Sequence, residues 1–448
     1  MSPSVHFSMP SGSLFQFPPS NEPRVVAAPA TESLLTPSFY IPADIYSAVL
    51  EVNVPITIAA IYAVAVTALN AYNRSRDNKP WRISKTKPFF AFVVLHNVFL
   101  AVYSAWTFVG MWNALQVSLS GHQTVAGTVD SLCKVHGPYG LGNAVTYNSS
   151  WTSYSADVQL TSAGTPSLLD SGRLWNEGLA FYGWFFYLSK FYEVLDTLII
   201  LAKGKRSSTL QTYHHAGAMM SMWCGIRFMS PPIWMFVFVN SGIHALMYTY
   251  YTLTAFSVPI PNRLKRSLTT MQIIQFLVGA TYAALHSFIS YTIPVRVEAT
   301  KSTVQATTTA ATAAVSSATA AATAANIVDM IKVYLLRSIG IDGAAGNVNV
   351  PLPSPEVSTG ADGISYTTEY QSVPCIDTNG QTFAIWFNVL YLAPLTVLFV
   401  RFFIRSYSRR TSKHGAKAIQ NGKANGSANG HANGHANGHA NGKANGKH

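Results

Sequence analysis

The chain has 448 residues, 49% of them hydrophobic and only 11% charged, with a formal net charge of +12. Soluble domains carry about 25% charged residues, so this composition excludes an ordinary soluble protein and points to a polytopic membrane protein. The basic residues gather at the ends of apolar runs, which accounts for the charge without nucleic-acid binding.

Residues 1–49 are Pro- and Ser-rich and show no apolar h-region, so no cleavable signal peptide is expected and the segment reads as largely disordered. Seven stretches then follow that are long enough to cross roughly 30 Å of hydrocarbon: 54–72, 89–112, 179–201, 209–229, 232–256, 268–293 and 383–404. The expected fold class is therefore all-α, a bundle of seven transmembrane helices within a domain over 50–405. Two insertions interrupt it, at 114–176 and 294–382. The second holds an Ala/Thr tract and the Pro-rich piece VPLPSPEVST, which read as surface segments. Residues 406–448 start basic and continue as Ala-Asn-Gly repeats with Lys or His, a composition that cannot bury apolar area.

Charge placement sets the topology. Arg74, Arg76, Lys79, Arg82, Lys85 and Lys87 follow the first span, and Lys203, Lys205 and Arg206 follow the third. Arg263, Lys265 and Arg266 follow the fifth, and Arg401, Arg405, Arg409, Arg410 and Lys413 end or follow the seventh. The turn between the fourth and fifth has Arg227 alone. By the positive-inside rule the four basic segments are cytosolic, which puts the N-terminus on the other side and the C-terminus in the cytosol. Cys133 and Cys375 then share the non-cytosolic side, where a disulfide is permitted. The sequon Asn148-Ser149-Ser150 lies there too and can be glycosylated. Cys224, inside the fourth span, reads as a small core residue.

Within the spans stand polar residues that the bilayer penalises. A charged side chain at mid-bilayer costs about 2.5–3.5 kcal/mol on insertion scales and is normally kept for function. Lys190, Glu193 and Asp196 lie on the third span, Gln211, His214 and His215 on the fourth, and His244, Tyr248 and Tyr251 on the fifth. Thr269, Gln272 and Gln275 open the sixth. Gln211, His214 and His215 stand at i, i+3 and i+4, which on a helix share one face about 5–6 Å apart. Neutral imidazoles suit nucleophilic and general-base work, and an imidazole can take an acyl group from a thioester. A metal site is the competing reading. Membrane di-iron hydroxylases and desaturases carry His-x-x-His-His boxes but draw ligands from several of them, whereas five histidines lie in spans here: His96, His214, His215, His244 and His286. A mononuclear site from His214, His215 and His244 stays open, and so does lipid transport.

KFYEVLDT (Lys190–Thr197), QTYHH (Gln211–His215), HALMYTYY (His244–Tyr251) and TTMQIIQ (Thr269–Gln275) resemble, in order, the four signature boxes of the ELO family of fatty-acid elongases. NEGLAFYGWFFYLSK and FNVLYLAPLTVLFVRFF are similar to the family as well. The resemblance implies a seven-helix enzyme of the endoplasmic reticulum membrane that encloses an acyl-chain tunnel. It implies a 3-oxoacyl-CoA synthase, which condenses malonyl-CoA with a long-chain acyl-CoA, releases CO2, and uses no bound cofactor and no metal. The same resemblance places the acyl group on His214, has His215 and His244 orient it or assist decarboxylation, and gives Lys190, Glu193 and Asp196 an orienting role. Gln211, Tyr248, Tyr251, Gln272 and Gln275 would line the substrate. It also implies work beside the reductase and dehydratase of the elongation cycle, in very-long-chain, polyunsaturated and sphingolipid synthesis, and allows a homo-oligomer. Gln211 departs from the family pattern, whose box usually opens with His; Gln there resembles fungal and algal members, some of which act on polyunsaturated chains.

Overall fold

In the computed structural model, the described residues are 3–21, 23–29, 40–120, 124–144, 170–298, 357–359 and 365–408. They belong to two compact units, Met1–Val397 and Leu398–His448. The second shows the end of the last helix and a π-helical turn, Ile404–Ser408. Asn148, the Ala/Thr tract, most of the Pro-rich piece and the repeat tail lie outside the described residues.

Apolar sequence without water leaves a backbone only its own carbonyls to bond, and long helices result. They are α1 (Ala43–Val49), α2 (Asn53–Ser75), α3 (Lys87–Leu119), α4 (Val125–Cys133), α5 (Ala180–Tyr192), α6 (Val194–Ala202), α7 (Thr209–Arg227), α8 (Ile233–Ala255), α9 (Asn262–His286) and α10 (Asn379–Phe403). Side-chain caps start four of them: Thr86 Oγ1 accepts from Phe89 N, Thr124 Oγ1 from Gly127 N, Ser208 Oγ from Gln211 N, and Thr378 Oγ1 from Gln381 N. Among the described residues four helices are long and apolar enough to cross a membrane, Asn53–Ser75, Lys87–Leu119, Asn262–His286 and Asn379–Ser406. These mark a multi-pass membrane protein. The third expected span, 179–201, is not one helix. A π-helical turn, Trp175–Leu179, precedes α5, and the helix breaks again between α5 and α6. α6 ends at Gly204, whose φ of 72° is left-handed and whose absent Cβ leaves room for the Asn78 carbonyl.

The all-α expectation needs correction, because an antiparallel sheet is present. Its strands are β1 (Val5–Phe7), β2 (Ile289–Glu298), β3 (Val357–Thr359) and β4 (Ser365–Pro374), in the order β1-β2-β4-β3. The sixth expected span, 268–293, therefore stops at His286, and the apolar residues beyond it alternate along β2. Tyr291 and Ile293 are buried with Val373, Cys133 and Cys375, and Ile289 and Val295 pack beside them, the period of two that a strand imposes. Pairing Tyr291 with Val373 and with Val5 ties three distant stretches together.

The described part of residues 1–49 likewise carries ordered structure. β1 joins the sheet, the Trp175 indole donates to Val26 O, and Arg227 donates to Pro23 O and Asn21 O. The carbonyls of Tyr46, Val49 and Leu50, at the end of α1, accept from Trp184, Tyr187 and Trp223, satisfying the orphan groups of a helix end.

At the sheet end of the molecule the 114–176 insertion contributes a dense polar cap. Arg173, 1% exposed, uses all five of its N–H donors: Nε to Pro138 O, Nη1 to Asp130 O and Lys134 O, and Nη2 to Asp130 Oδ2 (2.6 Å) and Gly140 O. Tyr291 donates to the other oxygen of Asp130 at 2.5 Å. Burial and that carboxylate push the Tyr291 phenol well above its usual pKa. Lys134 pairs with Asp377, and Cys133 and Cys375 are joined by a disulfide closing 242 residues of sequence. Removing Arg173 would leave Asp130 as an uncompensated buried charge and strand the carbonyls it serves. Arg173→Ala is expected to cost about 3–5 kcal/mol. Thermal unfolding in detergent should show a large fall in melting temperature; an unchanged value would mean the cap is not held this way.

Candidate active site

The break between α5 and α6 builds the first half of the site. Asp196 N donates to Glu193 O at 3.1 Å, three residues back rather than four, while Glu193 N keeps its bond to Ser189 O. Such tightening inside a helix often accompanies function. Here Lys190 Nζ lies 2.7 Å from Glu193 Oε1, with the two residues 3% and 2% exposed. Ser189 donates to the same carboxylate oxygen, Lys190 also donates to Asn240 Oδ1 at 3.4 Å, and its ammonium sits 4.0 Å above the Phe186 ring. His244, from α8, brings Nδ1 to 3.6 Å from Glu193 Oε1.

α7 supplies the second half, and its adjacent histidines point to different partners. Gln211 Nε2 donates to His215 Nε2 at 3.0 Å and contacts Thr197 Oγ1 at 3.4 Å. His214 instead meets the last helix, with Nδ1 3.2 Å from the Tyr391 hydroxyl. The two imidazole centres are 5.4 Å apart. On α9, Gln275 accepts from Asn240 Nδ2 at 3.3 Å, and Gln272 donates to Met247 Sδ at 3.5 Å.

A cavity opens between these helices. Lys190, His214, Asn240, Gln275, Asn388 and Tyr391 supply its polar wall, and Phe186, Ala218, Met222, Phe236, Phe276, Leu392 and Leu395 its apolar one. Of the residues singled out in the sequence, Lys190, His214 and Gln275 reach this wall. Glu193, His215, His244 and Gln211 stand behind it, each touching another member of the group. Asp196 belongs to a different cluster: it is 2.8 Å from His96 Nε2 and accepts from Tyr248 OH at 2.6 Å, joining α3, α6 and α8. Tyr251, 40% exposed, packs near Tyr248 and away from the cavity.

Four participants escaped the sequence reading as site residues: His96, Asn240, Asn388 and Tyr391. Three had a signal: Asn240 precedes His244 by one helical turn, and His96 and Asn388 are polar interruptions of apolar runs, whereas Tyr391 is one of 22 tyrosines.

Among the described residues, the metal-capable side chains with ligand atoms within 4.8 Å of one another are Cys133, His286 and Cys375. The two sulfurs there are bonded to each other, so that cluster offers no thiolates. An imidazole and an ammonium on one wall, facing apolar side chains, suit attack on a carbonyl carbon carried by an apolar chain.

Two of three comparisons with known proteins found relatives of this chain. The family model described as ELO: GNS1/SUR4 family matches residues 47–415. Human very long chain fatty acid elongase 3 is 37% identical over 110 residues, 25% of this chain and 41% of that protein. Human very long chain fatty acid elongase 4 is 37% identical over 116 residues, 25% of this chain and 37% of that protein. Fatty acid elongase 2 of Trypanosoma brucei brucei (strain 927/4 GUTat10.1) is 29% identical over 123 residues, 27% of this chain and 45% of that protein. The chain thus spans less than half the length of these curated relatives, and no solved structure matches it. Because the family model covers the domain from the end of α1 through α10, with the polar cluster of α5 to α10 inside it, the chain belongs to the GNS1/SUR4 (ELO) family.

Proposed function

We propose that the protein is a 3-oxoacyl-CoA synthase that lengthens a long-chain acyl-CoA by two carbons at the expense of malonyl-CoA. One observation carries the reading: His214 and Lys190 share the wall of a cavity whose remaining surface is largely apolar, inside a chain of the ELO family. The imidazole of His214 attacks the thioester carbonyl, the carbon–sulfur bond breaks, and CoA leaves as thiolate. Malonyl-CoA then loses CO2, and the carbanion so formed attacks the acyl carbon. The nitrogen–carbon bond breaks and 3-oxoacyl-CoA is released. Lys190 stabilises the negative charge that develops on the carbonyl oxygens. Glu193 and His244 hold Lys190 in place, Gln211 orients His215, and Gln275 fixes Asn240.

The topology of this reading is seven spans, with the broken α5–α6 segment, α7 and α8 completing the set alongside the four apolar helices. The charge pattern supports a cytosolic position for the basic segments at 74–87, 203–206 and 263–266. CoA would then approach from the cytosol, and the cap of Cys133 and Cys375 would lie in the lumen of the endoplasmic reticulum. Substrates are long and very long acyl chains, saturated or unsaturated. Partners are the reductase and dehydratase that complete the cycle.

Purified protein should release labelled CO2 from malonyl-CoA only when acyl-CoA is present, and acyl-CoA alone should leave an adduct on a peptide covering residues 209–216. His214→Ala is expected to abolish both. Full activity in that variant, or activity lost to a chelator and restored by a metal ion, would overturn the assignment.

The Lys190–Glu193 pair can be tested separately from folding. Lys190→Met alone leaves a buried carboxylate without its counter-charge, and about 3–5 kcal/mol should be lost. The double variant Lys190→Met/Glu193→Gln should recover most of the melting temperature while condensation stays at least about a hundredfold down, as for a lost electrostatic stabiliser. Condensation at the wild-type rate in the stable double variant would make the pair purely structural.

A further inference from the structure

We infer that Tyr391, on the last helix, is a positioning residue that fixes the tautomer of His214 so that Nε2 carries the reactive lone pair; the inference rests on the reading of His214 as acyl acceptor.

Two contacts decide it. The Tyr391 hydroxyl lies 3.0 Å from the main-chain oxygen of His214 and 3.2 Å from Nδ1 of the same residue. A phenol has a single proton, and a carbonyl oxygen can only accept. If that proton went to Nδ1, the contact at 3.0 Å would set oxygen against oxygen. Both contacts are attractive in one arrangement alone: Tyr391 donates to His214 O, and His214 Nδ1–H donates to the phenol oxygen. The proton of a neutral imidazole then resides on Nδ1, because the hydrogen bond at one ring nitrogen determines the state of the other. Nε2 is left as the basic nitrogen.

The surroundings hold the phenol where this works. Tyr391 is buried, its ring stacks on Tyr213 with centroids 5.6 Å apart, and Tyr213 OH donates to Tyr391 O at 3.1 Å. The ring also lies against Gly217, where a Cβ would fall 2.1 Å from Tyr391 Cε2. Any other residue at 217 displaces the phenol. Tyr213, His214 and Gly217 of α7 thus grip one tyrosine of α10, and Tyr391 lines the same cavity wall as His214.

The chemistry benefits at a defined step. When Nε2 attacks the thioester, the new nitrogen–carbon bond puts a positive charge on the ring, and the breaking carbon–sulfur bond leaves its electron pair on CoA thiolate. The Nδ1 proton stays in place throughout, donated to the Tyr391 oxygen, so the acyl-imidazolium forms without a proton transfer. When the malonyl-derived carbanion attacks the acyl carbon, the pair of the nitrogen–carbon bond returns to Nε2 and the neutral Nδ1–H imidazole is regenerated.

The test uses full-length protein in detergent, labelled with ¹⁵N at histidine, with His214→Gln identifying the His214 signals. The wild type should show Nδ1 as the protonated nitrogen and Nε2 as the bare one. Tyr391→Phe keeps the stacked ring and should keep the melting temperature. It should release the tautomer, and acylation of the 209–216 peptide by acyl-CoA alone should slow roughly tenfold or more, with KM for acyl-CoA little changed. Gly217→Ala should reproduce the shift in tautomer. A wild-type signal with the proton on Nε2 overturns the inference, and so does Tyr391→Phe with wild-type tautomer and wild-type acylation rate. Absence of any adduct in the wild type would instead remove the acyl-imidazole reading, and the ¹⁵N spectra would still decide the role of Tyr391.

Discussion

An ammonium and a carboxylate 2.7 Å apart, nearly out of reach of solvent, govern how the centre of this protein is arranged. Each ion alone would lose several kcal/mol of hydration on burial, so neither is tolerable without the other and without further hydrogen bonds. The tightened turn at Glu193 belongs to the solution. It brings Ser189, Lys190 and Glu193 onto one side of the α5–α6 segment, and the remaining ligands of the pair, Asn240 and the more distant His244, come from α8. Asn240 then passes the constraint to Gln275 on α9. Three helices are thereby held at one level of the bundle, the level at which His214 meets the cavity.

A second buried charge system works by a different route at the sheet end. There the backbone between Lys134 and Gly140 follows no regular secondary structure, and buried carbonyls without partners are costly. One guanidinium serves three of them, those of Lys134, Pro138 and Gly140, and pairs with Asp130, whose other oxygen takes the Tyr291 phenol. Lys134 and Asp377 pair beside the disulfide. This cap joins α4, the sheet and the start of α10.

Adjacent histidines end up with unlike surroundings for a simple geometric reason. Successive residues on a helix point about 100° apart at 3.6 residues per turn, so His215 faces Gln211 and the Tyr62 ring while His214 faces Tyr391 and the cavity. Whatever Gln211 contributes is therefore felt through His215, to which its amide donates.

The sequence alone determined much of this. Apolar length and the cost of charge in hydrocarbon act locally, so the helical segments, the polar residues of the spans and the four boxes were legible residue by residue. So was the presence inside the spans of Lys190, Glu193, Gln211, His214, His215 and His244, which the fold gathers into one polar cluster. What proved illegible depends on partners remote in the chain. The strand Ile289–Glu298 reads as the tail of an apolar span until Val373 and Val5 lie beside it. Asp196 shares a box with Glu193, yet His96 and Tyr248 draw it into another cluster. Tyr391 is one tyrosine among 22 in the sequence, and only the packing of its ring against Gly217 gives it a place at His214. Burial costs can be read from residue type and local pattern, but which group compensates each cost is decided by the fold, because hydrogen bonds and ion pairs form only at contact.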